Sequence, residues 1–439
     1  MALLKNLRGR WGGIPYRPLR SGRLLFGRRS VWSPVTCCWA LVWMLFIFMV
    51  EIAVFRLAVQ RCVWPAQALQ GTLDDADIFR LAIVADPQII DQYSYKQSGA
   101  ALALTEFYTD IYMIKSYRYL QKLQKPDAIL FLGDLFDGGR EWGDEQWSEE
   151  LKRFRWIFKN SQDYDGQTLF MGGNHDFGFG NALLPHARDR YENAFSSANW
   201  AADLGNHTLI SLDTLSLSSD NSSVRNASQL FLDQLADEVP QKPRVLFTHV
   251  PLYRKDLTYC GELRTANRGI YQGSGYQYQN LVVERLSSEI LAKVKPIAAF
   301  SGDDHDQCTV QHTTGGRQVP EVGTFSWSMG NIYPSFGMVS LSRSASSDAG
   351  ATTLDYGVCF LPAQIKIYIA YGVLLALTLL ALPVQIRYIS RRRVQYVLPS
   401  ANTTPDTAPG ILSGTFKTVA FVALVNIPFY ALCLIISFF

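Results

Sequence analysis

The chain lacks a strong charge imbalance of either sign. Its 439 residues carry a net charge of +3, so the overall balance does not argue for nucleic acid. No internal repeat is visible, so a solenoid or propeller array is excluded. Two local absences are more informative. Residues 1–34 contain no Asp or Glu beside Lys5 and seven arginines. The stretch after them, Val35–Val59, reads "VTCCWALVWMLFIFMVEIAVFRLAV". It has no charge before Glu51 and is followed by "RCVWP" rather than small residues. A cleaved signal peptide would be shorter and would end in a small-residue site. The segment therefore reads as a retained membrane span. Similar runs occupy Ala363–Gln385 and Phe416–Phe439. They hold so few polar residues that a transport pathway is disfavoured.

The expected organisation is a basic cytoplasmic arm (1–34) and a first span (35–59), then a large domain (60–360). A second span (361–386), a cytoplasmic loop (387–415) and a third span (416–439) follow. Basic clusters before the first span and at Arg387–Arg393 after the second place both on the cytoplasmic side. Residues 60–360 are then expected in a lumen. The sequons at Asn206, Asn221 and Asn226 fall in that part, as N-glycosylation requires, whereas Asn402 falls in the cytoplasmic loop. Cys62, Cys260, Cys308 and Cys359 share the same side, where disulfides persist. Four cysteines permit three pairings. Cys37, Cys38 and Cys433 lie in spans and are expected to pack.

Within the domain, apolar runs alternate with helical patterns. "IFRLAIVAD", "DAILFLGD", "QTLFMGGN", "HTLISLD", "PRVLFTHV" and "PIAAFSGD" read as buried strands. "ALALTEFYTDIYMIKSYRYLQKL" and "DEQWSEELKRFRWIFKN" read as helices. The order predicts an α/β fold, with a mostly parallel core and a second sheet from later pieces such as "TFSWSM" and "FGMVSL".

Histidine is scarce, with six in the chain, yet three sit just beyond these strands. The first strand ends in Asp86 and Gln88, the second in Asp134 and Asp137. The third ends in Asn174, His175 and Asp176, a later one in His249, and the last in Asp303 and His305. Any single one of these has an ordinary reading as a turn, cap or core residue. Five strand ends carrying metal-type donors, where α/β sheets place their sites, are not explained that way.

The ordered motifs "DPQ", "GDLFD", "GNHD", "THVP" and "GDDH" resemble the calcineurin-like metallophosphoesterases. "GDLFDGGR", "THVPLYR", "SGDDHDQC" and "VPEVGTFSWSMGNIYPSF" are similar to the membrane-bound branch that remodels glycosylphosphatidylinositol (GPI) anchors, which includes a fungal manganese-dependent group. The resemblance covers roughly residues 78–385. It implies a four-layer α/β/β/α sandwich holding two divalent metal ions, Mn²⁺ foremost. It implies a phosphodiesterase of the endoplasmic reticulum membrane, with GPI-anchored proteins or the GPI glycolipid as substrate. The reaction would remove an ethanolamine-phosphate branch from a mannose of the GPI glycan.

Carried over by motif position, Asp134 bridges the metals. Asp86, Gln88 and His305 complete one shell, and Asn174, His249 and Asp303 the other. His175 would protonate the leaving alkoxide, oriented by Asp176, with Asp137 beside the site. The broad family has histidine where this chain has Gln88 and Asp303, and these harder oxygen donors favour Mn²⁺ or Mg²⁺. Two dications against Asp86, Asp134 and Asp303 leave about +1, which suits a monoanionic diester. Asp304 and Asp306 are expected as solvated turn residues. Arg140, Trp142 and Asp144 are expected at the cleft mouth, where Trp and carboxylate hold an ammonium group; alternatively the tryptophans belong to a helix's buried face. Rival functions are a membrane phosphomonoesterase of other substrate and a non-catalytic adaptor with a decayed site.

Overall fold

The computed structural model describes residues 34–66, 77–267, 269–312, 317–343, 353–396 and 410–438. Almost all of the basic arm, most of the linker before the second span, and Asn402 lie outside the described residues. Backbone contacts divide the chain into two units. The smaller joins the described residues up to Leu45 with those of Ala376–Phe429. Within it, Trp39 Nε1 donates to Gln385 Oε1 (3.0 Å) and Trp43 Nε1 to Thr378 Oγ1 (3.1 Å). The larger unit, Phe46–Leu375 with Tyr430–Phe439, carries the sheets and the candidate site.

Thirteen strands form this unit's sheets among the described residues. They are β1 (Ile78–Val84), β2 (Ala128–Leu132), β3 (Gln167–Met171), β4 (Trp200–Leu204), β5 (His207–Ser211), β6 (Arg244–Phe247), β7 (Ser274–Gly275), β8 (Tyr278–Gln279), β9 (Ala298–Phe300), β10 (Cys308–His312), β11 (Arg317–Glu321), β12 (Ser335–Ser342) and β13 (Leu354–Phe360). One sheet runs β13-β12-β1-β2-β3 and the other β10-β11-β9-β6-β5-β4, while β7 and β8 form a small hairpin. β1, β2 and β3 are mutually parallel, as are β5, β6, β9 and β11; β12 pairs antiparallel with β1 and β13, β10 with β11, and β4 with β5. "AILFL" in β2 is buried at every position, the pattern of a parallel strand covered on both faces.

Alternate residues of the strands feed different apolar clusters. Leu81, Ile83, Leu130 and Leu132 of the first sheet pack with Leu209, Val245, Phe247 and Phe300 of the second. Ala82, Val84, Ile129 and Phe131 instead join Tyr112, Tyr117, Phe154 and Phe158 from the helices Gly99–Tyr119 and Asp144–Ile157 and its C-cap. The second helix shows why it forms: Trp147, Leu151, Phe154 and Ile157 recur on one face.

The structure departs from the expected division of strands between sheets. β12, which contains "FGMVSL", returns to pair with β1 in the first sheet, Leu81 opposite Val339. The middle strands make the second sheet. "TFSWSM" forms no strand; only Thr324 bridges to Ala85. Its serines and threonine bond locally instead, Thr324 Oγ1 accepting from Ser326 N at 3.1 Å.

Among the described residues, three helices are long and apolar enough to cross a membrane: Pro34–Gln60, Gln364–Ile389 and Ile411–Ile436. The first contains a π-turn at Met49–Ala53 that carries Glu51. Glu51 meets Lys115 of Gly99–Tyr119 at 2.5 Å and accepts from Tyr371 Oη at 2.8 Å. The cysteines choose Cys62–Cys359 and Cys260–Cys308 from the three possible pairings. Cys37, Cys38 and Cys433 are unpaired; Cys433 is buried, while Cys37 and Cys38 are exposed on their helix rather than packed.

Candidate metal centre

The carboxyl ends of β1, β2, β3, β6 and β9 converge. Donor atoms of Asp86, Asp134 and His305 lie within 4.8 Å of one another, and so do those of Asp134, His249 and Asp303. Asp134 is common to both groups. Gln88 joins through its amide, Nε2 donating to Asp134 Oδ2 at 3.0 Å. Asn174 joins through Oδ1, 3.2 Å from His249 Nε2. All seven residues expected as ligands therefore meet in one place.

The backbone is contorted to bring them there. Asp86 (φ 46°), Gln88 (33°), Asp134 (51°), Asp303 (73°) and His305 (66°) all take positive φ. Non-glycine residues held in such sparsely populated regions cost about 1–3 kcal/mol each and concentrate at functional sites. Close approach also needs bare glycines. A Cβ on Gly133 would stand 2.2 Å from His249 Nδ1, and one on Gly173 would stand 2.1 Å from Asp134 Oδ1.

The donor set fits divalent cations. Gln88 Oε1 is buried without a hydrogen-bond partner, an orphan that a cation would satisfy. His249 Nδ1 donates to the Leu132 carbonyl at 2.9 Å. That bond fixes the tautomer and leaves Nε2 as the ligating nitrogen. An imidazole nitrogen lies close to each carboxylate: His249 Nε2 is 3.2 Å from Asp134 and 3.6 Å from Asp303, and His305 Nε2 is 4.0 Å from Asp86.

The charges of these donors crowd one another. Burial, with the Asp134 charge nearby, pushes Asp303 up to about 7. Burial raises Asp86 as well. It would also raise Asp134, but His249 and His175 outweigh it and hold that carboxyl below the usual range. Burial pulls His305 down to about 4. At His175 burial acts downward too, yet Asp134 and the Asp137 contact prevail and raise it to about 9.

His175 shows where one expected role moves. Its Nδ1 is 2.5 Å from the Asp137 carbonyl and 3.2 Å from the Asp137 carboxylate. Asp137, not Asp176, orients it. Asp176 is buried and accepts from the backbone N–H groups of Leu135, Phe136 and Gly173. It staples the loop after β2 to the loop after β3, and burial pushes its carboxyl up to about 7. The adjacency in "HD" suggested a pair, but the turn sends the two side chains to different partners.

The substrate residues expected from sequence are occupied elsewhere. Arg140 is buried and donates to the Asn174 carbonyl at 2.8 Å, bracing that loop. Trp142 Nε1 donates to Asp91 at 2.8 Å, and Asp144 pairs with Arg190 at the surface. Asp304 and Asp306 are not merely solvated. Asp304 meets Arg264 at 2.5 Å, while Asp306 accepts from Thr265 N and Ala266 N at 3.0 and 2.8 Å. These contacts dock the segment 264–266 onto the metal loop, and Cys260–Cys308 closes the same junction. Two supports carried no motif: Thr324 Oγ1 donates to the Asp86 carbonyl, and Asn331 Nδ2 to the His305 carbonyl. Asn206, Asn221 and Asn226 all have surface exposure, and Asn221 caps the helix Ser222–Asp237.

An α/β protein that presents paired acid, amide and imidazole groups about one shared carboxylate is a metal-dependent phosphoesterase. Comparison with known proteins gives the finer assignment. Residues 79–307 match the calcineurin-like phosphoesterase model, and the chain belongs to that family. It is 32% identical to "Cell division control protein 1" of Saccharomyces cerevisiae, over 86% of this chain and 80% of that protein. It is 25% identical to "Metallophosphoesterase 1" of Xenopus laevis (76% and 85%) and 24% to that of Mus musculus (73% and 82%).

Proposed function

We propose that the chain is a dinuclear-metal phosphodiesterase that removes an ethanolamine-phosphate branch from a mannose of the GPI-anchor glycan. The two donor groups sharing Asp134 carry the reading. Asp86, Gln88, Asp134 and His305 would hold one ion, and Asp134, Asn174, His249 and Asp303 the other. A bound pair supplies Lewis-acid stabilisation of the charge that develops on phosphorus and its oxygens.

The remaining work falls to the chain. Buried Asp134, Asp86 and His249 hold the donors in fixed positions. Protonated His175 donates Nδ1–H to the Asp137 carbonyl, which leaves Nε2–H to reach the leaving alkoxide or a phosphoryl oxygen. Arg140 fixes the carbonyl of the neighbouring Asn174. Oxygen donors at Gln88 and Asp303 favour Mn²⁺ or Mg²⁺. The carboxylate of Asp303 lowers the site's net charge in the sense that suits a monoanionic diester. The two apolar clusters support a helix/sheet/sheet/helix stack. The three apolar helices support residence in a membrane, which we place in the endoplasmic reticulum with the catalytic domain lumenal, glycosylated at Asn206, Asn221 and Asn226.

The deciding experiment is mass spectrometry of GPI glycans from cells lacking the protein, rescued with wild type or with His175→Ala. Accumulated ethanolamine-phosphate, cleared only by wild type, is expected. An unchanged pattern in the deficient cells overturns the reading.

A further inference from the structure

A cavity of about 550 Å³ opens beside the metal loop. Asp303 and His305 form its floor, the segments around Ala266 and Tyr271 one wall, and Met329–Ile332 another. Its volume falls within the roughly 300–1,000 Å³ of small-molecule sites. We propose that this cavity binds the sugar side of the scissile phosphodiester, a neutral hexose of a lipid-linked glycan. The inference rests on the phosphodiesterase reading above and assigns the position of the leaving alcohol.

Charge decides which end of the diester fits. An ethanolammonium group needs an available carboxylate or an electron-rich cage. The acids of this cavity are engaged. Asp304 pairs with Arg264, and Asp306 accepts from Thr265, Ala266 and Gln307 backbone N–H groups. Asp303 and His305 belong to the metal set. What the cavity otherwise offers is the half-exposed ring of Tyr271, the side-chain amide of Asn280, and backbone at Gly269 and Gly330. An amide and a ring with one apolar face and one polar tip suit a pyranose, which has hydroxyls at its edge and C–H groups on its faces.

The position of the second wall supplies the lipid. Asn331 donates to the His305 carbonyl at 3.0 Å and accepts from Tyr333 N at 3.0 Å. The Tyr333 ring lies 4.6 Å from Lys366 Nζ, in the first turn of the apolar helix Gln364–Ile389. Trp327 packs edge-on against Tyr368 one residue pair further along, at 5.7 Å. Tyrosine, tryptophan and lysine at the start of an apolar helix mark the headgroup level of a membrane. The cavity wall thus lies two residues from that level at Asn331 and is hydrogen-bonded directly to the metal loop, within reach of a sugar still attached to its lipid.

The test compares a synthetic mannoside bearing an ethanolamine-phosphate diester with bis(p-nitrophenyl) phosphate, using the full chain in nanodiscs. Ala266→Trp fills the cavity and Tyr271→Ala removes its ring. For each, the ratio of kcat/KM between mannoside and aryl diester should fall about tenfold or more, chiefly through KM. The aryl diester also reports whether a variant has folded with its metals. A wild type active on the mannoside, with both variant ratios unchanged, overturns the sugar site and leaves the proposed function standing. A wild type inactive on the mannoside overturns both. A mannoside on a lipid anchor in the same nanodisc should show a lower KM than its soluble counterpart; equal values overturn the placement at headgroup level.

Discussion

Removing the metals should cost the protein much of its stability, and more so as the solution becomes alkaline. A ligand at about 100 times its Kd contributes about 2.7 kcal/mol by mass action, so two sites contribute about 5 kcal/mol. At about 2–4 °C per kcal/mol for a domain of some 150–250 residues, chelation should lower Tm by roughly 10–20 °C. The metal-free site then adds a pH dependence. His175, raised to about 9, contributes stability that is present below pH 6.5 and lost as pH rises to 9. Asp303 and Asp176, both raised to about 7, contribute stability lost as pH rises from about 4 through 7. His305, lowered to about 4, acts oppositely, but only between pH 6.5 and 4. Above pH 6.5 the trends therefore agree: the stripped protein weakens toward pH 9, while bound cations offset the crowded carboxylates. Differential scanning fluorimetry with and without chelator at pH 6.5 and 8.5 measures both effects. Equal Tm values with and without chelator, or a gap that narrows at pH 8.5, would refute the reasoning.

Other substitutions probe single parts. Asp134→Asn keeps the shape but removes the shared charge; a lost charge pair is worth about 4 kcal/mol at 4 Å and an effective dielectric of 20. Bound metal by mass spectrometry should fall from two ions to one or none per chain. Asp303→His should shift preference from diester toward monoester in a paired assay, and an unchanged ratio would remove the charge argument. Asp137→Asn weakens the hold on His175 without touching a ligand, so kcat should fall about tenfold while metal content stays at two. Lys115→Met leaves Glu51 buried without its cation and should destabilise by about 3–5 kcal/mol; chemical denaturation should show Lys115→Met with Glu51→Gln recovering part of that loss.

The sequence made the ligand set legible because parallel strands are short apolar runs that end abruptly. Asp86, Asp134, Asn174, His249 and His305 each follow such a run, so position and chemistry coincide on the page. The partner of His175 was not legible. Asp176 is adjacent in sequence, but a turn at Asn174–Phe177 directs it to backbone N–H groups, and Asp137 arrives from another loop. The pairing of β12 with β1 was hidden for a similar reason: the partners Leu81 and Val339 lie 258 positions apart, and neither pattern nor composition links them. Ser- and Thr-rich stretches such as "TFSWSM" carry strand-like composition, yet their hydroxyls bond to nearby backbone and hold the chain irregular. The wall at Ala266 and Tyr271 has no periodic signal at all; contacts made in the folded chain place it, Arg264 with Asp304, Thr265 and Ala266 with Asp306, and Cys260 with Cys308.

The bond between Cys62 and Cys359 joins the residue just after the first apolar helix to one just before the second. Everything between them forms a covalently closed ring, pinned to the bilayer at its clasp. A protease cutting an exposed stretch such as Leu257–Tyr259 would open the ring but release nothing. Each half would keep its own helix, and the clasp would still connect them. Such a nick should be visible only on reducing gels, and shedding of a soluble fragment would need two cuts.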